Sequence, residues 1–216
     1  MGLPRVFIIS DERSCRAGGV VFTIARMLNH IDVAGDVAVV VRTKASGKNV
    51  DAPALCSALL PLCRRAGALL LAHTDARLVG PLGLDGVHVP STGLARVARL
   101  HMPRGRLLGM SRHRGDRLDD DDADYATMSP VFRPTSKPLD KRPCLGELAL
   151  GRITAASSRP VIALGGIDAG NAALCMAQGA AGVAVVGAVL GAVDPQRALL
   201  SLLQVVRGTG SGKAKA

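Results

Sequence analysis

The segment from Arg159 to Leu190 reads RPVIALGGIDAGNAALCMAQGAAGVAVVGAVL. Two short apolar runs, VIAL and GVAVV, are each followed directly by glycine, and a helix-like stretch lies between them. Parallel strands need a long connection of this kind, usually a helix, whereas antiparallel strands need only a tight turn. The segment therefore predicts two parallel strands joined by a helix.

The same alternation runs along the whole chain and gives eight candidate strands. Their apolar runs lie at 5–10, 36–42, 68–73, 86–90, 105–111, 123–129, 159–166 and 182–188. Strands that are apolar throughout are typical of a parallel sheet covered by helices, and eight is the count at which such a sheet closes. We therefore predict an α/β fold, a single (β/α)8 TIM barrel. An open doubly wound sheet is disfavoured, because ISDERSCRAGG after the first strand contains no GxGxxG.

Two of the intervening segments carry clear helix signals. Residues 51–67 have apolar side chains at spacings of three and four, and residues 194–208 begin with Asp194 as an N-cap and Pro195 in the first turn. No change of composition marks a second domain. We predict one barrel domain over 1–207 and a flexible basic tail, GTGSGKAKA, over 208–216.

The composition is strongly basic and poor in aromatic side chains. A formal net charge of +10 attracts anionic ligands, but three Phe, one Tyr and no Trp offer little for stacking on nucleic acid bases. We therefore predict phosphorylated small molecules, and no nucleic acid, as partners. The five cysteines form no CxxC pair, and no apolar run reaches the roughly 18 residues of a membrane span. These features predict a cytoplasmic protein with reduced core cysteines and no membrane partner.

Functional residues of this fold lie where the strands end. Glycines follow the seventh and eighth strands, in ALGGID and VVGAVLGA. Backbone N–H groups and a following helix N-terminus can hold a phosphate at such positions. The pattern predicts a phosphate site, with tight turns that bind no ligand as the alternative.

The segment from Asp124 to Pro138, DYATMSPVFRPTSKP, resembles a segment of thiamine phosphate synthases and of the related TenI-type thiazole tautomerases. The resemblance continues through VFIISDER, VVVRTK, LDGVHVP, GMSRH and the segment quoted first, and so covers nearly the whole chain. It implies a (β/α)8 barrel and a homodimer. It also implies that hydroxymethylpyrimidine diphosphate is coupled to thiazole phosphate with release of pyrophosphate.

The resemblance further implies roles for the residues that match the family's motifs. Arg42 and Lys44 would bind the diphosphate, while Lys137 and Ser111 would stabilise the departing pyrophosphate. The thiazole phosphate would be held by the loop and by the two glycine turns, at Thr135, Ser136, Gly165, Gly166, Val186 and Gly187, the last of which stands where the family has a phosphate-binding serine.

The chain departs from the synthase pattern at the expected Mg²⁺ ligands. His73 and Thr74 stand where synthases have Asn-Asp after the third strand, and Gly93 replaces a second carboxylate. Mg²⁺ prefers oxygen ligands, commonly one or two carboxylates together with substrate phosphates. Asp75 is the candidate ligand of a shifted Mg²⁺ site, although it also fits a helix N-cap.

Three functions stay open at this point. A divergent synthase is favoured by five residues that match the synthase motifs: Arg42, Lys44, Ser111, Pro130 and Lys137. A TenI-type tautomerase is favoured by HVPSTG at 88–93, but Pro130 stands where those enzymes place a catalytic histidine. A noncatalytic binder of thiazole or thiamine phosphate is favoured by intact phosphate turns combined with missing residues on the diphosphate side. His73 is the candidate acid/base of a tautomerase-like reaction, because imidazole transfers protons near pH 7.

Overall fold

The structure, a computed structural model, describes residues 2–16, 18–43, 51–116, 122–134 and 142–209. Its eight parallel strands are hydrogen-bonded in sequence order, and the last pairs with the first, so the sheet closes. They are β1 (Val6–Ile9), β2 (Val37–Val41), β3 (Leu69–His73), β4 (Gly86–Val89), β5 (Leu107–Arg112), β6 (Tyr125–Met128), β7 (Val161–Leu164) and β8 (Gly182–Val185). Each coincides with a predicted apolar run, and the predicted barrel is confirmed.

Helices surround the barrel, and two of them begin at the residues that the sequence indicated. The Asp51 carboxylate accepts a hydrogen bond from Ala54 N–H at 3.2 Å, and the Asp194 carboxylate accepts one from Arg197 N–H at 3.0 Å. Such caps satisfy N–H groups that have no partner within the helix. The helices are α1 (Gly19–Met27), α2 (Ala52–Arg65), α3 (Ala95–Leu100), α4 (Gly146–Ala156), α5 (Ala172–Ala177), α6 (Gly187–Leu190) and α7 (Pro195–Gly208), with 3₁₀ turns at Glu12–Ser14 and Ala76–Leu78.

Strand side chains alternate between two apolar cores, because successive residues of a strand point to opposite faces. One core lies between the barrel and the helices and contains, for example, Val6 and Ile8. The other fills the barrel with Phe7, Ile9, Ala38, Val40, Leu69, Leu71, Tyr125, Ile162 and Ala184. The alternation also decides which residue at each strand end points inward.

Three cysteines belong to the outer core as free thiols: Cys56, Cys63 and Cys175. Burial raises the pKa of Cys56 to about 11 and that of Cys63 to about 12, so both stay protonated at neutral pH. This confirms the prediction of small, reduced core residues for these three, whereas Cys15 and Cys144 are half-buried free thiols. No helix in the described ranges is long and apolar enough to cross a membrane. The predicted tail beyond Thr209 lies outside the described residues.

The barrel interior is polar on one side only. The inward positions near the ends of β3 to β6 are His73, His88, Ser111 and Thr127, whereas β1, β2, β7 and β8 contribute apolar groups to the interior core. His73 is level with His88, and Ser111 with Thr127, in neighbouring strands. A seam of hydrogen-bonding groups therefore leads from the barrel interior towards the carboxyl ends of the strands.

Gly109 makes room for this seam. It is level with His88 on one side and with Tyr125 on the other. A Cβ at this position would lie 2.1 Å from Cζ of Tyr125 and 2.3 Å from its hydroxyl oxygen. The absent side chain lets the Tyr125 ring pass over β5 and reach His88.

Candidate active site

A cavity of about 460 Å³ opens at the carboxyl ends of the strands. Its described lining comes from the ends of β1, β2, β5, β6, β7 and β8, and none of it belongs to β3 or β4. This is the face at which barrels of this kind carry their active sites.

Arg42 lines the cavity and forms a buried ion pair with Asp11. This ion pair was not predicted from the sequence. Arg42 Nη2 donates to Oδ2 of Asp11 at 2.8 Å, and the two side chains are 16% and 6% exposed. Ser10 holds the backbone, because its Oγ accepts from Arg42 N–H at 2.8 Å and donates to the Arg42 carbonyl at 3.2 Å. Within the described part of the chain, the buried Nε of Arg42 has no hydrogen-bond partner. A fixed guanidinium with a donor to spare is suited to an anionic ligand.

The turn after β7 holds two consecutive glycines in left-handed conformations. Backbone φ is 101° at Gly165 and 63° at Gly166. A Cβ at Gly165 would lie 2.9 Å from Cα of Pro130, and one at Gly166 would lie 2.6 Å from the Arg133 carbonyl oxygen. Glycine is therefore needed for both the φ values and the close approach of the loop after β6.

The turn after β8 adds a second stretch of backbone to the same wall. Val186, Gly187 and Ala188 line the cavity where α6 begins. Asn171 secures the neighbouring glycine turn, because its Nδ2 donates to the Gly166 carbonyl at 2.8 Å. The two turns thus lie side by side, as expected for the predicted phosphate site.

Ser111 lines the cavity and is bonded to the polar seam beneath it. Its Oγ lies 2.9 Å from Nε2 of His88, whose Nδ1 lies 3.1 Å from the Tyr125 hydroxyl. Burial, with a smaller contribution from the charge of His73, lowers the pKa of His88 to about 3. Burial also raises the pKa of the Tyr125 phenol above its ordinary value. At neutral pH, His88 is therefore a neutral imidazole and Tyr125 a protonated phenol.

Arg142 and His113 form a second basic group at the cavity wall. Nη1 of Arg142 lies 3.2 Å from Nδ1 and 3.4 Å from Nε2 of His113, so the guanidinium group lies against the imidazole ring. His113 Nδ1 is also 3.0 Å from the Ser129 carbonyl oxygen. No local sequence pattern singles out Arg142.

His73 ends β3 and Thr74 follows it, and neither residue belongs to the described cavity lining. The two side chains are hydrogen-bonded through Thr74 Oγ1 and His73 Nδ1 at 2.8 Å, and the His73 ring stacks at 6.2 Å from the ring of His88. Thr74 has a φ of 74°, which is strained for a β-branched residue. This strain lies where the family resemblance expects an aspartate.

Asp75 caps the 3₁₀ turn that follows. Its Oδ1 accepts hydrogen bonds from the backbone N–H of Arg77 at 3.1 Å and from Arg77 Nε at 2.9 Å, while Oδ2 accepts from Arg77 Nη2 at 2.9 Å. These bonds from Arg77 lower the pKa of Asp75. In the described ranges, no three His, Cys, Asp or Glu side chains lie together in a way that could hold a metal ion. The candidate ligand Asp75 is therefore already held by Arg77.

The barrel brings half of the predicted site residues to one cavity. Those that line it are Arg42, Ser111, Gly165, Gly166, Val186 and Gly187. His73 and Asp75 lie beyond the described lining. Four predicted site residues lie outside the described residues: Lys44, Thr135, Ser136 and Lys137.

The fold and the cavity define a class of protein: a (β/α)8 barrel with glycine turns after β7 and β8 and an ion-paired arginine across the same cavity. A family model described as thiamine monophosphate synthase matches residues 6–189. The chain belongs to this family of thiamine biosynthesis, and the resemblance found in the sequence is confirmed.

Individual relatives agree with this assignment. The thiamine-phosphate synthase of Chlorobium luteolum is 35% identical over 176 residues, which cover 80% of this chain and 82% of the relative. That of Parasynechococcus marenigrum is 36% identical over 171 residues, but the chain spans only 48% of its length. The solved thiamine phosphate pyrophosphorylase from Pyrococcus furiosus superimposes with a TM-score of 0.75 at 23% identity, over 96% of this chain and 97% of the other. The last comparison supports the fold.

Proposed function

We propose that this chain is a thiamine phosphate synthase, which joins hydroxymethylpyrimidine diphosphate to thiazole phosphate and releases pyrophosphate. The observation that carries the proposal is one cavity that combines an ion-paired arginine, a serine hydroxyl and two glycine turns in a member of this family. The arginine and hydroxyl suit a diphosphate, and the turns suit a monophosphate. Two anion sites in one cavity match a reaction of two phosphorylated substrates.

The proposed reaction breaks the C–O bond between the pyrimidine methylene carbon and the diphosphate, and the electron pair leaves with pyrophosphate. The thiazole nitrogen then donates its lone pair to the methylene carbon and forms the new C–N bond. Negative charge grows on the departing oxygen, so preorganised donors and cations lower the barrier. Arg42 supplies a guanidinium group and Ser111 a hydroxyl group at the cavity wall.

Four residues of the proposed site have roles that rest on the resemblance. Lys44 and Lys137 would add positive charge on the diphosphate side, and Thr135 and Ser136 would bind the thiazole ligand. The loop that carries the last three follows Pro134, which itself lines the cavity. This position supports the proposal that the loop contacts both substrates.

Asp75 stays the candidate ligand for Mg²⁺ in the proposed site. The carboxylate of Asp75 would have to exchange its bonds from Arg77 for the ion. The Mg²⁺ concentration for half-maximal turnover, compared between wild type and Asp75→Asn, tests this role. We expect equal values, whereas a clearly higher requirement in the variant would make Asp75 a ligand.

A tautomerase activity is the second candidate, and a histidine at a strand end supports it. His73 would move the proton in such a reaction, with its ring held by Thr74. His73→Asn tests this role, because full isomerase turnover in the variant would exclude it.

The proposed function is tested by incubating the purified chain with both substrates and Mg²⁺ and following both products. We expect thiamine phosphate and pyrophosphate in equal amounts. Isomerisation of the thiazole in place of coupling would support the tautomerase. Calorimetric binding of thiazole phosphate with no turnover would replace the proposal by a phosphate-binding protein. We also propose a homodimer, which sedimentation equilibrium of the same preparation tests.

A further inference from the structure

The hydroxyl of Ser111 can either donate or accept in its hydrogen bond with His88. The two cases present different groups to a ligand in the cavity. If Ser111 donates its proton to Nε2 of His88, only lone pairs face the cavity. If Nε2 carries the proton and donates to Ser111 Oγ across the 2.9 Å contact, the hydroxyl proton is left for a ligand. The tautomer of His88 therefore decides whether Ser111 is a donor to an anion.

The second nitrogen of His88 selects between these tautomers. Its Nδ1 lies 3.1 Å from the Tyr125 hydroxyl, which is fully buried. A phenol that donates to Nδ1 leaves the proton of the imidazole on Nε2. The opposite arrangement would bury the phenol proton with no acceptor among the described residues, at the cost of an unsatisfied polar group. The neutral state of His88, which burial enforces, agrees with this arrangement.

Thr127 does not replace Ser111 as the hydrogen-bond partner of His88 Nε2. Its Oγ1 lies 3.4 Å from His88 Nε2, which is a weaker contact than the one with Ser111. Gly109 adds a steric argument, because the ring of Tyr125 occupies the space that any side chain there would fill. The arrangement of phenol, imidazole and hydroxyl is therefore built into the barrel interior.

We propose that His88 and Tyr125 are positioning residues that turn the Ser111 hydroxyl into a hydrogen-bond donor for the departing pyrophosphate. The inference rests on the proposed function for the identity of the anion. The direction of the hydrogen bonds rests on the geometry alone. Neither residue touches the substrate, and both act through Ser111.

The first test is the tautomer itself, read from the imidazole ¹⁵N chemical shifts of protein labelled at histidine. His88→Gln identifies the His88 signals by their disappearance among those of the five histidines. We expect the proton on Nε2 in the wild type and a mixture of tautomers in Tyr125→Phe. A wild type with the proton on Nδ1 would overturn the inference, whether or not the chain is a synthase.

The second test is a double-mutant cycle on turnover, which separates positioning from packing. Tyr125→Phe keeps the ring and removes the hydroxyl, so we expect kcat to fall about tenfold, equivalent to one lost donor in the transition state, with KM for thiazole phosphate unchanged. In a Ser111→Ala background the same change should have no further effect on kcat. An equal loss in both backgrounds would overturn the inference and leave a purely structural role.

Binding of inorganic pyrophosphate, measured by calorimetry, keeps the two proposals apart. If the chain forms no thiamine phosphate but Tyr125→Phe and Ser111→Ala weaken pyrophosphate binding alike, the proposed function fails and the positioning role stands. If both variants bind pyrophosphate as the wild type does, the positioning role fails. Thermal unfolding of each variant shows that the compared proteins are folded.

Discussion

At the residue scale, the environment of a charged side chain decides its role more than its type does. Asp11 and Asp36 each accept a hydrogen bond from an arginine through Oδ2, at 2.8 Å from Arg42 and at 2.7 Å from Arg207. The side chain of Asp11 is 6% exposed and that of Asp36 is 30% exposed. Only the first pair lies at the cavity.

This contrast predicts different effects for the same substitution. We expect Asp11→Asn to lower the free energy of unfolding by about 2–3 kcal/mol, because it leaves a buried guanidinium without its counter-charge. It should also lower kcat/KM about tenfold, since Arg42 would lose its fixed position. Asp36→Asn should lower the free energy of unfolding by less than about 1 kcal/mol and leave kcat/KM unchanged. Urea unfolding and steady-state kinetics check both, and equal effects of the two substitutions would contradict the assignment.

The buried imidazole predicts a pH dependence of stability. Burial lowers the pKa of His88 to about 3, whereas an unfolded histidine titrates near about 6.5. As the pH falls between these values, the unfolded chain gains a proton that the folded chain does not. The free energy of unfolding should then fall by up to about 1.4 kcal/mol per pH unit. Urea unfolding from pH 7 to 4 should show a shallower loss for His88→Gln than for the wild type, and parallel curves would count against a neutral His88.

The strained end of β3 predicts a stabilising substitution. Thr74 has a φ of 74° and an exposed side chain, and glycine adopts this conformation without a steric penalty. We expect Thr74→Gly to raise the free energy of unfolding by about 1 kcal/mol, after the loss of its hydrogen bond to His73. Ala34→Gly should raise the free energy of unfolding by less, because Ala34 has a φ of 50° but no branched side chain. A lower melting temperature for Thr74→Gly would show that no strain is stored there.

At the element scale, the strands and the two capped helices were predictable because their signals are local. An apolar run predicts a strand, and Asp194 followed by Pro195 predicts the start of a helix. The contact between Asp11 and Arg42 joins the ends of two strands, and only the register of β1 and β2 brings them together. No local pattern indicates a role for His88, because its partner Tyr125 lies 37 residues away in the sequence.

Gly109 provides the test at this scale. A Cβ there would lie 2.1 Å from Cζ of Tyr125, so we expect Gly109→Ala to destabilise the protein by about 3 kcal/mol or more, at the upper end for overpacked cores. Gly208→Ala is the matched control, because a Cβ there meets nothing within 4 Å at the end of α7. Thermal and urea unfolding of the two variants check the difference. A fully stable Gly109→Ala would mean that the Tyr125 ring is free to move away from β5.

At the scale of the whole molecule, barrel closure creates the site. The residues that line the cavity come from strand ends distributed from Ile9 to Ala188 along the chain, and pairing of β1 with β8 brings the first and last of them together. The eight-strand pattern was sufficient to predict that polar strand ends would converge. Which of these residues share one cavity depends on whether each side chain points into or out of the barrel. The sequence does not show this for Arg142 or Asp11.

Two arginines, compared in the coupling assay, test the proposed role of the cavity most directly. Arg42→Met removes the guanidinium at the cavity wall, and Arg207→Met removes an ion-paired guanidinium beside Asp36, which precedes β2 at the other end of the strand. We expect Arg42→Met to lower the rate of thiamine phosphate and pyrophosphate formation at least about 100-fold, and Arg207→Met to stay within about twofold of the wild type. Equal turnover in the wild type and Arg42→Met would contradict this expectation, because the reaction would then take place without this cavity's fixed cation.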